Sequence, residues 1–298
     1  MQSVLILITA PEHKALTPDM ARAAATALPS PSGPDWLADR IACEIGFAMS
    51  AGADRTGIEN AVRDTLGAAP VDIAILPAEG RRRSLLVADM DSTMIGEECI
   101  DELGALTGLG AEIAAITERA MRGELDFTGA VRARVGLMKG LDAGAIDRVI
   151  AERISLTPGG RELVQTMRRH GAYTALVSGG FTAFTAHVAA QLGFDDHQGN
   201  RLVVDGGAIA GTVEEPILGR AAKVEALQRY CAQRDIPAAA AMAVGDGAND
   251  LDMLAAAGLG VAYRAKPVVA EAARVRIDHG DLTALLYLQG YRREEFTG

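Results

Sequence analysis

Short apolar runs alternate along this chain with stretches in which apolar side chains recur every three or four positions. The run Val4-Leu5-Ile6-Leu7-Ile8 predicts a strand over 4–9, helical spacing covers 19–28, and a helix over 58–66 leads into a strand over 71–76. Between them, 36–49 is apolar without a decisive period and fits helix or strand. A small α+β unit over residues 1–80 satisfies this order.

Pro77-Ala78-Glu79-Gly80 and Arg81-Arg82-Arg83 mark a boundary, and Leu85-Leu86-Val87-Ala88 then starts a new sheet. From 97 to about 154 the pattern is helical with no strand signal, so residues 97–157 read as an insertion placed to cover a site. Alternation resumes with a helix over 162–169 and a strand over 173–177 ending at Ser178-Gly179-Gly180. A hairpin follows, its arms over 201–204 and 208–213 joined by Asp205-Gly206-Gly207. Then come a helix over 222–234, a strand over 240–244 ending at Gly245-Asp246-Gly247, and strands over 260–263 and 275–277. Strands that are apolar throughout and separated by helices predict an α/β fold, its parallel sheet covered on both faces. The core unit takes residues 84–96 and 158–298.

The composition narrows the function. With 49% hydrophobic residues among 298, the chain is globular and large enough for more than one unit. A net charge of −10 argues against nucleic-acid binding, which rests on phosphate neutralisation by Lys and Arg, and 4% aromatic content offers little surface for base stacking. Arg81-Arg82-Arg83 reads as a solvated connector. Cys43, Cys99 and Cys231 are scattered with no Cys-x-x-Cys pair, so a reducing, cytoplasmic setting is expected. No apolar run approaches bilayer length, and no membrane association is expected.

Candidate chemistry sits at the strand ends. Asp89-Met90-Asp91-Ser92-Thr93 follows the run 85–88, and carboxylates at the mouth of a buried strand are unfavourable unless a cation or a reaction needs them. One residue of separation lets Asp89 act as nucleophile while Asp91 serves as acid and base. The plainer reading is a strand-end turn or helix cap. Asp246, Asn249 and Asp250 follow another strand, and acidic groups converging from separate strands favour an oxygen-liganded hard cation, Mg²⁺. The expected metal ligands are Asp89, Asp246 and the backbone carbonyl of Asp91. Ser178, Gly179 and Gly180 suit phosphate oxygens, as a hydroxyl and two unobstructed N–H groups, although an ordinary strand-to-helix turn uses the same residues. Lys223 offers a point charge, or else is a surface lysine. The five histidines lack zinc-ligand spacing, Leu176 breaks the Gly-x-Ser-x-Gly pattern around Ser178, and no nucleotide-binding P-loop is present.

In this order, Asp89-x-Asp91-x-Thr93, Ser178, Lys223 and Gly245-Asp246-Gly247-Ala248-Asn249-Asp250 resemble the four motifs of the haloacid-dehalogenase-like phosphatases, over nearly all of 84–280. Within that superfamily, Glu98-Cys99-Ile100-Asp101-Glu102, Met121-x-Gly123-x-Leu125-x-Phe127 and Arg132-x-Arg134-Val135 are similar to the cap of the phosphoserine phosphatases. The resemblance implies a Rossmann-like core, a helical cap after the first core strand and a small ACT-like N-terminal domain. It implies Mg²⁺-dependent hydrolysis of O-phospho-L-serine through an aspartyl-phosphate, the last step of serine synthesis. Arg134 would clamp the substrate carboxylate and Glu98 face its ammonium, while Met121 and Phe127 exclude water. Asn249 and Asp250 would orient phosphate, Lys223 and the metal's water shell. Two alternatives keep the same residues: a phosphotransferase passing the group to an alcohol such as homoserine, and a non-catalytic phosphoserine or serine sensor. A homodimer is compatible with all three.

Overall fold

The computed structural model describes residues 2–50 and 52–298, and the side chain of Met121 lies outside the described residues. The N-terminal unit runs β1 (Gln2–Ile8), α1 (Pro18–Ala25), β2 (Asp35–Ala38), β3 (Ala42–Ala48), α2 (Arg55–Leu66) and β4 (Asp72–Pro77). Its helices begin where the sequence supplies caps: Thr17 accepts the Met20 N–H at 3.2 Å, and Asp54 accepts the Gly57 N–H at 2.9 Å. The segment without a clear period proves to be two antiparallel strands. β2 has four residues and an irregular register against β3, and it turns through Arg40 at φ +55°, too short a stretch for period-two alternation to emerge. The sheet order is β2-β3-β1-β4, and the small unit is thus a complete βαββαβ.

β1 is apolar without interruption from Val4 to Ile8 because both faces of its sheet are covered. Leu5 and Leu7 pack beneath α1 and α2, whereas Val4, Ile6 and Ile8 join the main core of the molecule. The seam to that core is polar at its edges. Buried Asp72 accepts N–H groups from Asp278 at 2.8 Å, His279 at 3.1 Å and Gly280 at 2.7 Å. The arginine run is a clamp rather than a solvated connector. Arg81 is buried with its guanidinium 2.7 Å from Glu44, and exposed Arg82 pairs with Glu295 and lies over the Tyr291 ring. A buried guanidinium needs a carboxylate partner, and the N-terminal sheet supplies it.

The larger unit opens with β5 (Leu85–Ala88), followed by four helices: α3 (Cys99–Thr107), α4 (Gly110–Met121), α5 (Phe127–Leu137) and α6 (Gly144–Arg153). The chain returns through α7 (Gly160–Arg169), β6 (Tyr173–Phe181), α8 (Thr182–Leu192), β7 (Asp196–Asn200), β8 (Leu202–Asp205), β9 (Ala208–Val213) and α9 (Arg220–Arg234). It finishes with β10 (Ala241–Gly245), α10 (Leu251–Ala256), β11 (Leu259–Tyr263), α11 (Pro267–Ala272), β12 (Val275–Ile277) and α12 (Ala284–Leu288). The six-stranded sheet is parallel with order β12-β11-β10-β5-β6-β7. β5 is central, and the strand order reverses between it and β10, so the crevice at their carboxyl ends is the natural binding position of such a sheet.

Leu85 and Val87 face the cluster that holds Leu227 and Met253, while Leu86 and Ala88 face the one that holds Leu163 and Leu285. Burial on both sides explains the unbroken apolar signal. β7, Asp196-His197-Gln198-Gly199-Asn200, carries no such signal because it is a polar edge strand. No helix among the described residues is long and apolar enough to cross a membrane.

Candidate active site

The floor of the site is built where β5, β10 and α9 meet. Asp89 leaves the end of β5 with its N–H bonded to the Val244 carbonyl at 3.0 Å, which ties it to the register of β10. Lys223, in the first turn of α9 and only 2% exposed, places its ammonium 2.7 Å from Asp89 Oδ1 and 2.6 Å from Asp250 Oδ1. Asp250 is fully buried and takes a second bond, from the Gly247 N–H at 3.0 Å. Gly245 makes that fold-back feasible, since a Cβ there would lie 2.3 Å from Asp250 Cγ. Asp246 accepts from the Thr93 hydroxyl at 3.4 Å and has the exposed Lys266 ammonium 3.8 Å away.

Burial and the neighbouring Asp250 push the Asp89 carboxyl well above the usual carboxylate range, with Lys223 opposing them. Burial likewise raises Asp246. For Lys223, burial acts downward, but Asp89 and Asp250 outweigh it and hold the ammonium above its ordinary value. Asp89, Asp246 and Asp250 offer carboxylate oxygens that all lie within 4.8 Å of one another. Buried Lys223 and the exposed, more distant Lys266 do not neutralise three carboxylates, and an all-oxygen set without sulfur or imidazole fits a hard divalent cation.

Asp91 turns the other way. Its Oδ1 accepts the Cys99 N–H at 2.8 Å and its Oδ2 accepts the Ser178 hydroxyl at 2.9 Å, while Ser178 Oγ receives the Gly180 N–H at 2.8 Å. The end of β6 is therefore tied to the end of β5 across the pocket. A cavity of about 110 Å³ lies above, lined by Asp89, Asp91, Ser178, Gly179, Gly180 and Asn249 at the ends of the sheet strands and by Glu98, Phe127 and Arg134 from the helical segment between β5 and β6. A single water needs only about 10–15 Å³ on this measure, so the space suits a small metabolite rather than a peptide or polynucleotide. Glu98 accepts from the Ser92 hydroxyl at 3.1 Å; the residue as a whole reaches solvent, but its carboxyl lines the cavity and is pushed up to about 7 by desolvation there and then by Asp91. Desolvation lowers Arg134, against the opposing charges of Asp101, Glu98 and Asp91.

Residues 86–255 match the family model described as haloacid dehalogenase-like hydrolase. The chain belongs to this family. A phosphoserine phosphatase of Streptomyces coelicolor is 46% identical over 253 residues, 84% of this chain and 61% of that protein, so the chain spans about three fifths of this relative's length. Among solved structures, a haloacid dehalogenase family hydrolase from Salmonella enterica serovar Typhi superposes with a TM-score of 0.83 at 28% identity, covering 96% of this chain and 98% of that one. A structure described as the phospho-aspartyl intermediate analogue of phosphoserine phosphatase gives 0.64 at 37% identity, covering 69% of this chain and 98% of the other.

In this haloacid dehalogenase-like hydrolase the residues expected from sequence to act on substrate converge on one pocket. Asp89, Asp91, Glu98, Phe127, Arg134, Ser178, Gly179, Gly180 and Asn249 line it directly, and Lys223 sits beneath. The expectation for Met121 falls on a side chain outside the described residues. Asp250, expected only to support, brings its carboxylate into the acidic cluster itself. Sequence reasoning missed Ile100, Val131 and Phe181 in the lining, as well as Asn200, whose buried amide holds the loops behind the pocket. A lone Asn in a polar strand gives no signal of that kind.

Proposed function

We propose that this protein hydrolyses O-phospho-L-serine to L-serine and phosphate. The observation that carries the proposal is the opposition of two sets of charges across one small cavity. On the floor, Asp89 is held by Lys223 beside Asp246 and Asp250, and on the cap side Arg134 and Glu98 offer one cation and one anion. The carboxylate and ammonium of phosphoserine complement Arg134 and Glu98, and its phosphate suits the floor once a divalent cation is held among the three carboxylates.

Asp89 attacks phosphorus, and the bond from phosphorus to the serine oxygen breaks. Lys223 and the Met90 N–H both bond Oδ1, at 2.7 and 2.8 Å, so attack through Oδ2 leaves these contacts intact. Asp91, in its acid form, gives its proton to the departing serine oxygen. As carboxylate it then takes a proton from the water that attacks the aspartyl-phosphate, and phosphate leaves. The Cys99 N–H and the Ser178 hydroxyl fix the direction of Asp91, and the Gly179 N–H faces the phosphate oxygens, joined by the Ser178 hydroxyl and the Gly180 N–H when substrate draws them from their present partners. Asp89, Asp246 and Asp250, with the Asp91 backbone carbonyl, would hold Mg²⁺, whose chemistry is to offset the repulsion between carboxylate and phosphate. Arg134 binds the substrate carboxylate, Glu98 its ammonium, and Phe127 excludes water.

The relative and the intermediate-analogue structure, both phosphoserine phosphatases, support this reading. In it, residues 97–157 are the cap, 84–96 and 158–298 the core, and 1–80 an appended unit. The test is phosphate release from a panel of small phosphomonoesters with Mg²⁺, with and without EDTA, for the wild type and Asp89→Asn. Phosphoserine should be preferred, and both EDTA and the substitution should abolish release. Appreciable turnover by Asp89→Asn would contradict the covalent route, and phosphorylated homoserine among the products would redirect the reading to a transferase.

A further inference from the structure

Asn200 ends the polar edge strand β7, yet it is only 2% exposed and every polar atom of its side chain is engaged. Nδ2 donates to the Gly179 carbonyl at 2.7 Å and to the Leu218 carbonyl at 3.1 Å, and Oδ1 accepts the Leu218 N–H at 2.7 Å. One side chain thereby joins the turn at the end of β6 to the loop that precedes α9. Both segments carry a glycine beneath the same cap residue. A Cβ at Gly179 would lie 3.0 Å from Phe127 Cζ, and one at Gly219 would lie 2.9 Å from Phe127 Cδ1. Gly219 has φ −119° and ψ −152°, an extended conformation open to any residue, so the backbone does not require glycine there. The space for the ring does. A second contact spans the same seam, from Arg132 of α5 to Glu215 at 2.7 Å.

We infer that Asn200 is a positioning residue for cap closure. Its amide holds the Gly179 and 217–219 backbones at the separation that admits the Phe127 ring, and this seat fixes the cap over the pocket. The kinetic part of the inference rests on the pocket being the phosphoserine site; the seat itself does not. Aspartate is the informative replacement, because it keeps the shape but cannot donate, and it turns a carboxylate toward the two carbonyls that Asn200 now satisfies.

Asn200→Asp should raise KM for phosphoserine about tenfold or more, with a smaller change in kcat, and should speed hydrogen exchange in 122–131 in the substrate-free protein. In a Phe127→Ala background the same substitution should change KM less than about twofold, because the seat no longer has an occupant. Losses that add in full in both backgrounds, or exchange that rises throughout the molecule, would overturn the inference in favour of a general structural role. Gly219→Ala probes the seat without touching the amide, and it carries the same expectations if Asn200→Asp fails to fold. Unchanged KM and unchanged exchange in Gly219→Ala would also overturn the inference. Faster exchange in 122–131 with no phosphoserine turnover by the wild type would sink the functional reading and leave the seat standing.

Discussion

Replacing Lys223 by Met removes a buried cation while keeping much of its volume, and the structure sets what that should do. The ammonium is 2.7 Å from Asp89 and 2.6 Å from Asp250, its side chain is 2% exposed, and Asp246 shares the cluster. Breaking a buried charge pair typically costs about 3–5 kcal/mol because the partner is left uncompensated. Two carboxylates lose the same partner here, which points to the upper half of that range. At about 2 °C per kcal/mol for a chain of this size, melting should fall by about 10 °C.

The loss should depend on pH in one direction. Asp89 is already pushed upward by burial and Asp250, and without the lysine it is pushed further. A raised carboxyl contributes stability that is complete below its unfolded value and is lost as pH rises through the folded one. Lys223 is held above its ordinary value, so its charge in the wild type is constant from pH 5 to 8. The gap between variant and wild type should therefore be widest near pH 8 and narrow toward pH 5. Thermal unfolding in EDTA across that range measures it, and added Mg²⁺ at pH 8 should recover part of the loss. A difference below about 1 kcal/mol at pH 8, or one that is flat with pH, would refute the reasoning.

Two other expectations concern the helical segment between β5 and β6. Arg134→Ala should lower kcat/KM for phosphoserine by about 2–5 kcal/mol, the loss expected when one side of a desolvated charge pair is removed, and should lower it much less for p-nitrophenyl phosphate; equal losses would mean that Arg134 does not read the carboxylate. Glu98, pushed up to about 7, is fully charged only above that pH, so KM for phosphoserine should fall as pH rises from 6 to 8. Glu98→Gln should flatten this dependence, and a variant that retains the wild-type slope would assign the titration elsewhere.

The fold was legible wherever a strand is buried on both faces. Leu85–Ala88 and Ala241–Gly245 are apolar without interruption because helices cover each side, and the polar residues that follow them stand out for that reason. Several elements escaped: β2 is four residues long and β7 is a polar edge strand, and the helices α8, α10, α11 and α12 were not assigned, three of them being only five or six residues long. Arg81 looked like part of a solvated run because nothing near it in sequence is its partner; Glu44, which pairs with it, is 37 positions away.

The identities of Asp89, Asp91, Ser178 and Asp246 at the ends of apolar runs, and of Lys223 at the start of a helix, were determined by the sequence, because which chemical groups an element's end offers is a local property. Which groups meet was decided only by the tertiary structure. Asp91 turns to Ser178, 87 residues away, and Lys223 to Asp250, because β5 lies between β10 and β6 and α9 begins beneath their ends. Asn200 shows the division most plainly: its amide has no meaning in a polar pentapeptide and gains one only where two distant backbone segments converge on it, since hydrogen bonds depend on position in space and not on separation along the chain.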